Sequence, residues 1–213
     1  MQASLPSITF RKTQDVPDRL VETARLGIKK AITAIPKCSD RIRLVEPNTT
    51  RDSDDLISDL KNKEKGRKSC HGFQLDVDAI FERLSQWDVL LCNEDLMDQE
   101  YGWVFAVTQP QVHVSVVSVA RFTNPRLTNS QTILAVNRLL AHEVGHLLGL
   151  VERPNETCDK YGKHCANICL MRQAVTPRKW IKLATEEELL GLGFCHSCKD
   201  ELGQRWTHLS DGT

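Results

Sequence analysis

The spacing of apolar residues predicts two amphipathic helices in the first half of the chain. In residues 15–35, apolar side chains recur four positions apart, at Val16, Leu20, Ala24, Ile28 and Ile32. This period places them on one face of a helix. A second helix of the same kind is predicted over residues 76–87. Residues 47–71, between the two, are polar and dense in charge, which predicts a mobile insertion or loop.

Alternating and continuous apolar runs predict strands around these helices. The predicted strands are residues 41–45, 89–92, 103–107 and 112–122. In the last of them Val112, Val114 and Val116 alternate with polar residues, so His113 between them is expected to face solvent rather than a metal. Strands that alternate with helices predict a sheet covered by helices, an α/β or α+β fold.

A third helix has the clearest end signals in the sequence. Thr128-Asn129-Ser130-Gln131 has the form of a capping box, with Thr128 as N-cap. A broad apolar face follows, formed by Ile133, Leu134, Val136, Leu140, Val144, Leu147 and Leu148. Gly149 then suits the left-handed backbone conformation that ends a helix.

The composition of the chain argues against some classes of function. Hydrophobic residues make up 40% and charged residues 26% of the 213 residues, as in a globular protein. Lys+Arg and Asp+Glu both total 28, so no excess charge favours a nucleic acid or an anionic membrane as partner. No run approaches the ~20 apolar residues of a membrane helix. The N-terminal residues lack the pattern of a secretory signal, so we expect a cytoplasmic protein without a membrane partner.

The third helix carries a motif that predicts a catalytic zinc site. His142 and His146 in His142-Glu143-Val144-Gly145-His146 are one helical turn apart, so both imidazoles can bind one ion. A catalytic zinc has three protein ligands and leaves one position for water. Glu143 is placed to take a proton from the attacking water and pass it to the leaving amine.

Two residues are candidates for the third ligand of this zinc. Glu152 lies ten residues after His142, at a usable spacing, and a carboxylate can bind zinc. His164 is the other candidate, and it requires residues 151–163 to loop out. We favour His164 and keep Glu152 as the alternative.

Four of the eight cysteines form two close pairs that predict a second metal site. Cys165 and Cys169 form one pair, and Cys195 and Cys198 the other. Eight cysteines without a secretory signal indicate metal ligands or free thiols more than disulfides. Four thiolates form a closed, structural zinc site, whereas a single C-x-x-C pair could instead carry redox chemistry.

These motifs resemble those of the archaemetzincins, a family of metzincin metallopeptidases with a second zinc. The matching residues are His142, Glu143, His146, Gly149, His164, Cys165, Cys169, Leu170, Met171, Cys195 and Cys198. The resemblance covers about residues 88–202. The chain departs from the family pattern in the dozen extra residues between Gly149 and His164.

The resemblance implies a single metzincin-like peptidase domain over residues 1–213, with a mixed twisted sheet and an antiparallel edge strand. Residues 1–149 would form an upper subdomain with the active-site helix, and residues 150–213 a lower, cysteine-rich zinc subdomain. Residues 112–120 would be the edge strand that binds an extended peptide. Met171 would form the hydrophobic floor beneath the catalytic zinc without binding it.

The function expected from these features is the hydrolysis of peptide bonds, in short peptides, by an enzyme that holds one catalytic and one structural zinc. Exopeptidase and endopeptidase action both stay open. The alternative is a zinc-stapled binding module whose H-E-x-x-H site is idle. The intact Glu143 argues against this alternative, because a purely structural zinc site has no use for a base beside the metal.

Overall fold

The fold contains eleven strands, six α-helices and one short 3₁₀ helix (Ala120–Phe122) within the residues that the structure describes. The computed structural model describes residues 6–35, 42–47, 49–69, 72–123, 127–150, 156–159 and 162–207. In chain order the elements are β1 (Ser7–Lys12), α1 (Asp18–Thr33), β2 (Arg43–Val45), α2 (Arg51–Asn62), β3 (Gly66–Ser69), β4 (Gly72–Asp76), α3 (Val77–Phe81), β5 (Asp88–Cys92), β6 (Asp95–Asp98), β7 (Gly102–Val104), β8 (Ala106–Gln109), β9 (Val114–Ser118), α4 (Asn129–Leu147), β10 (Glu156–Asp159), β11 (Gly162–Cys165), α5 (Pro177–Leu190) and α6 (His196–Thr207).

The central sheet has five strands in the order β2-β1-β5-β9-β8. The first four run parallel to one another, and β8 runs antiparallel to β9. A second sheet has the order β3-β4-β6-β7, and β10 and β11 form a separate antiparallel pair. The predicted α/β class and the mixed sheet with an antiparallel edge strand are therefore confirmed.

Both faces of the central sheet are covered, which explains why its middle strand reads as a continuous apolar run. Val89 and Leu91 of β5 belong to the larger core, which includes residues of α1 and α4. Leu90 and Cys92 belong to a second core, which includes residues of α2 and α3. Among the described residues, no helix combines the length and the apolar composition that a membrane span requires.

The prediction of a loop over residues 47–71 was wrong in two places, because this segment contains helix α2 and strand β3. Helix α2 buries Leu56, Ile57 and Leu60. These three residues have the spacing of one helical face, but the many charged residues around them give the segment the average composition of a loop.

The prediction that residues 112–120 form the edge strand was also wrong. Strand β9 begins at Val114, lies between β5 and β8, and is buried along its length, including Val116. Val112 precedes the strand and is 48% exposed. His113 is in a turn with a left-handed φ of 54° and is half-buried, so it is not a solvent-facing strand residue. The edge strand is β8.

Helices α1 and α4 approach closely at Gly27 of α1. A Cβ atom at this position would lie closer than 3.0 Å to the backbone oxygen of Asn137 in α4, a separation that real Cβ atoms essentially never show. Because both partners are backbone, the contact cannot be relieved by turning a side chain. The distance between the two helices therefore depends on a glycine here.

We predict that Gly27→Ala lowers the free energy of unfolding by about 1–3 kcal/mol, measured by urea denaturation, because the added methyl group forces the helices apart. The matched control is Gly203→Ala in α6, where a Cβ meets no atom within 4 Å. That change should be neutral or stabilise by up to about 1 kcal/mol. A Gly27→Ala protein as stable as the control would contradict the close approach of α1 and α4.

Candidate functional site

Helix α4 has both predicted end signals. The Thr128 hydroxyl accepts a hydrogen bond from the Gln131 N–H (3.3 Å), and the Gln131 side chain accepts one from the Thr128 N–H (3.1 Å). At the other end Gly149 has a φ of 106°. The N–H of Gly149 donates to the His146 carbonyl and the N–H of Leu150 to that of Gly145, at 2.9 and 3.0 Å. This pair of bonds is a Schellman motif, and it turns the chain back beside the helix.

The two histidines of α4 are fixed by hydrogen bonds to backbone carbonyls. Nδ1 of His142 lies 2.8 Å from the Leu170 carbonyl oxygen, and Nδ1 of His146 lies 2.7 Å from that of Leu150. Since a carbonyl can only accept, both Nδ1 atoms carry the proton, and the lone pairs of the neutral rings are on the Nε2 atoms. These two Nε2 atoms are 3.1 Å apart. Two lone pairs at this separation repel each other unless a cation lies between them.

His164 joins this pair from strand β11. Its ring centroid is 5.4 Å from that of His142 and 5.3 Å from that of His146. One ligand atom from each of the three rings lies within 4.8 Å of the others. The antiparallel pair β10–β11, in which Thr157 lies opposite His164, forms part of the loop that this ligand was expected to require. The alternative ligand, Glu152, lies outside the described residues.

Three neutral imidazoles are a donor set that fits zinc, and the environment favours the neutral form. Burial is the main cause that lowers the pKa of His142 well below its usual value, and the nearby His146 and His164 lower it further. A neutral ring is the form that binds a metal. Each Nδ1–H that is held by a carbonyl also fixes the orientation of its ring, as is usual for histidines that bind zinc. The three residues therefore form a candidate catalytic metal site.

Glu143 lies beside this site and is held by strand β8. One of its carboxylate oxygens accepts a 2.7 Å hydrogen bond from the Thr108 hydroxyl, which in turn lies 2.9 Å from that of Ser115. Burial raises the pKa of Glu143 to about 7, and the Thr108 bond opposes this rise. Sequence reasoning did not identify Thr108, because only the pairing of β8 with β9 brings it over α4.

An open cleft of about 260 Å³ contains the three histidines and Glu143. Residues 101–108 form one wall, which includes the edge strand β8, and residues 173–175 form part of the other. Aromatic side chains contribute much of the lining: Tyr101, Trp103, Phe105 and Trp180. The Trp180 ring stands edge-on to His142, with centroids 5.4 Å apart and an interplanar angle of 87°.

Met171 packs directly against α4, between the two histidine positions of the helix. It is buried, in a turn closed by a 3.0 Å hydrogen bond from the Arg172 N–H to the Cys169 carbonyl. A Cβ at Gly145 would lie closer than 3.0 Å to the Met171 sulfur. The glycine of the H-E-x-G-H sequence therefore makes room for Met171 against α4.

The four paired cysteines meet in one cluster, as predicted. Sγ of Cys198 lies 3.2 Å from that of Cys169 and 3.3 Å from that of Cys195. Sγ of Cys165 lies 3.7 Å from that of Cys195, and all four sulfurs are within 4.8 Å of one another. The cluster joins strand β11, the turn after it and the beginning of α6. Four thiols without a disulfide in this arrangement form a second candidate metal site.

Hydrogen bonds within the cysteine cluster favour a thiolate, the form that binds zinc, at Cys165, and they raise the pKa of Cys169 and Cys198. Hydrogen bonds with Cys169, and then with Cys198, lower the pKa of Cys165 well below its usual value. The sulfur of Cys169 also accepts backbone N–H bonds from Cys195 (3.2 Å) and Met171 (3.5 Å). Cys165 directly follows His164, so the two candidate metal sites are adjacent in the chain as well as in space.

Comparison with solved structures relates this fold and site to known proteins. The archaemetzincin of Methanopyrus kandleri matches with a TM-score of 0.64 at 15% identity, over 97% of this chain and 98% of that chain. The archaemetzincin of Archaeoglobus fulgidus, in complex with malonate, matches with a TM-score of 0.61 at 18% identity, over 92% and 99%. A zinc-dependent peptidase from Methanocorpusculum labreanum matches with a TM-score of 0.54 at 16% identity, again over 92% and 99%.

The chain therefore has the fold of a zinc-dependent peptidase. More narrowly, the fold is that of the archaemetzincins, and the resemblance extends over nearly the whole chain rather than over the motif region alone. A search against protein-family models and a search of curated proteins gave no match to the sequence.

The first prediction from this geometry concerns the third histidine. The wild-type protein should contain two zinc ions per chain, His164→Ala should contain one, and Glu152→Ala should still contain two, by mass spectrometry of the native protein. The reason is that His164, on strand β11, brings its ring nitrogen to the pair on α4. Loss of one zinc from Glu152→Ala with retention of both in His164→Ala would reverse the assignment.

The second prediction concerns the cysteine cluster. Cys198→Ser should remove one zinc and lower the melting temperature, because the binding energy of a structural zinc contributes to folding. The matched control is Cys92→Ala, which changes a buried cysteine outside the cluster and should leave two zinc ions bound. Equal zinc contents in the two variants would argue against a metal at the cluster.

Proposed function

We propose that this protein is a zinc-dependent peptidase of the archaemetzincin type. The observation that supports this proposal is that the Nε2 atoms of His142 and His146 lie 3.1 Å apart, with His164 beside them. Glu143 directly follows His142 in the chain. Such a site holds a metal and a base on the floor of an open cleft. The structurally similar proteins, two archaemetzincins and a zinc-dependent peptidase, support the same activity.

In this proposal the residues divide into ligands and a base. His142, His146 and His164 would hold the catalytic zinc. When bound, zinc supplies Lewis acidity and makes water easier to deprotonate. Glu143 takes a proton from the attacking water and delivers it to the leaving amine. Its burial favours this exchange, because burial raises the pKa of the carboxyl group and so makes the carboxylate a better proton acceptor.

The edge strand β8 is the proposed binding site for the peptide backbone. Within the described part of the chain, β8 pairs only with β9, so its outer edge can bind an extended segment by β-augmentation. Thr108 of this strand donates a hydrogen bond to Glu143, so a peptide aligned with β8 would lie beside the base. We propose short peptides as substrates. Both exopeptidase and endopeptidase action are compatible with this arrangement.

The cysteine cluster is proposed to hold the second, structural zinc. Four sulfur ligands close the coordination sphere, so no position is left for water or substrate. Cys165, Cys169, Cys195 and Cys198 would join the strand that carries His164 to helix α6. In this role the structural zinc stabilises the part of the chain that supplies the third catalytic ligand, and Met171 lies in the same part as the floor of the site.

A Glu143→Gln variant tests the general base. We predict that kcat for a mixed peptide library falls by about 10²- to 10⁴-fold, because the amide cannot accept a proton. Both zinc ions should stay bound, because the substitution leaves the three histidines unchanged. The matched control is Glu188→Gln on α5, an exposed acid outside the cleft, which should keep the wild-type rate.

The same assay separates the peptidase from the alternative function, a zinc-stapled binding module. Unchanged turnover in Glu143→Gln would refute the base assignment. Absence of turnover in the wild-type protein with two bound zinc ions would favour the binding module.

A further inference from the structure

A buried arginine on α4 is not one of the proposed metal ligands, but it contacts the segment that orients one of those ligands. Arg138 lies one helical turn before His142 and is only 2% exposed. Its Nη2 donates hydrogen bonds to two backbone carbonyls, that of Cys169 at 2.9 Å and that of Arg172 at 2.8 Å. One guanidinium thus holds both ends of the segment 169–172.

The middle of that segment is the part that contacts the candidate catalytic site. The carbonyl of Leu170 is the acceptor for Nδ1 of His142, at 2.8 Å. Two residues one turn apart on one face of α4, Arg138 and His142, therefore bind the same short turn. If the turn moves, the Leu170 carbonyl moves, and the ring of His142 loses the bond that fixes its tautomer and direction.

A second contact connects the arginine with the same histidine. The guanidinium carbon of Arg138 lies 5.0 Å from the centroid of Trp180, on which it stacks as a cation on an aromatic face. Trp180 also packs edge-on against His142, with ring centroids 5.4 Å apart. Arg138 thus supports His142 through the turn and through the tryptophan.

The ion pair of Arg138 does not account for its position. Its Nε is 3.4 Å from a carboxylate oxygen of Glu187, a longer contact than either carbonyl bond, and Glu187 also binds Lys30 of α1. Buried ion pairs of this kind are often replaced by apolar residues without loss of stability. The shorter contacts of Arg138 are its hydrogen bonds to the two carbonyls. This difference indicates that its main role is to hold the turn rather than to pair with Glu187.

We propose that Arg138 is a positioning residue for His142: it fixes the segment 169–172 so that the Leu170 carbonyl holds the imidazole in its metal-binding orientation. This inference rests on the proposed zinc site. The cysteine cluster should be less dependent on Arg138, because three of its four sulfurs lie outside this segment and the fourth, that of Cys169, also accepts a hydrogen bond from the N–H of Cys195.

The test measures zinc affinity at each site rather than activity. The double variant Arg138→Met/Glu187→Gln removes both charges, so that neither is left buried alone. Full-length protein is titrated with zinc against a competing chelator, and cobalt substitution identifies each site, since only the cysteine site gives sulfur-to-metal charge-transfer bands. We expect the dissociation constant of the histidine site to rise by about 10- to 100-fold, the usual effect of losing an outer-shell partner. The cysteine site should change much less.

Lys30→Met is the matched control, because it removes the other partner of Glu187 and leaves both carbonyl bonds of Arg138 intact. It should keep wild-type affinity at the histidine site. Equal weakening in Lys30→Met and in the double variant would assign the effect to the charge network and overturn the proposal. Unchanged affinity of the histidine site in the double variant would overturn it as well.

A conservative variant keeps the proposal testable if the double variant does not fold. Arg138→Lys preserves the charge beside Glu187, but a single ammonium cannot reproduce the planar guanidinium that binds two carbonyls and stacks on Trp180. It should weaken the histidine site selectively, and wild-type affinity here would contradict the positioning role. Failure of the wild-type histidine site to bind zinc at all would instead refute the proposed function.

Discussion

The structure depends on two hydrogen bonds between imidazole N–H groups and backbone carbonyls. His142 donates to Leu170 and His146 donates to Leu150. These bonds decide which nitrogen of each ring keeps its proton, and so they aim two Nε2 lone pairs at one point. The acceptors come from separate parts of the chain. The turn at Gly149 brings the Leu150 carbonyl back to the helix, whereas the Leu170 carbonyl belongs to the turn at residues 169–172, before α5. The site is therefore a product of how α4 ends and of what packs against it.

The second candidate metal site follows from the same packing. The segment 169–172 contributes a sulfur to the cysteine cluster, a carbonyl to His142 and a methionine that packs against Gly145 of α4. Arg138 binds both ends of this segment, and Cys165 ties it to His164 through adjacent positions on β11. One short turn thus supplies a sulfur to the cysteine cluster and a hydrogen-bond acceptor to His142, so the two candidate sites lie close together. This arrangement gives a physical reason why a structural zinc would lie so near a catalytic one.

Features that depend on short sequence spacing could be predicted from the sequence. The capping box at Thr128, the left-handed Gly149 and the one-turn spacing of His142 and His146 are local, and the structure has all three. The clustering of the four cysteines was also predictable, because two close pairs of cysteines are typical of a zinc site with four thiolate ligands. The choice of His164 rested on its resemblance to a family motif, since no spacing rule fixes a ligand beyond a long loop. Features that depend on strand pairing could not be predicted in this way. The resemblance assigned Val114 and Val116 to the edge strand, yet β8 pairs with their strand on its outer side, and Thr108 reaches Glu143 only because of that pairing.

The most direct test of this account is a crystal structure of the zinc-loaded protein with anomalous diffraction measured on both sides of the zinc absorption edge. The account predicts two anomalous peaks per chain. One should lie about 2.0–2.1 Å from ring nitrogens of His142, His146 and His164, and the other about 2.3 Å from the four cysteine sulfurs. A peak on α4 whose third ligand is any residue other than His164, or no peak on α4 at all, would contradict it.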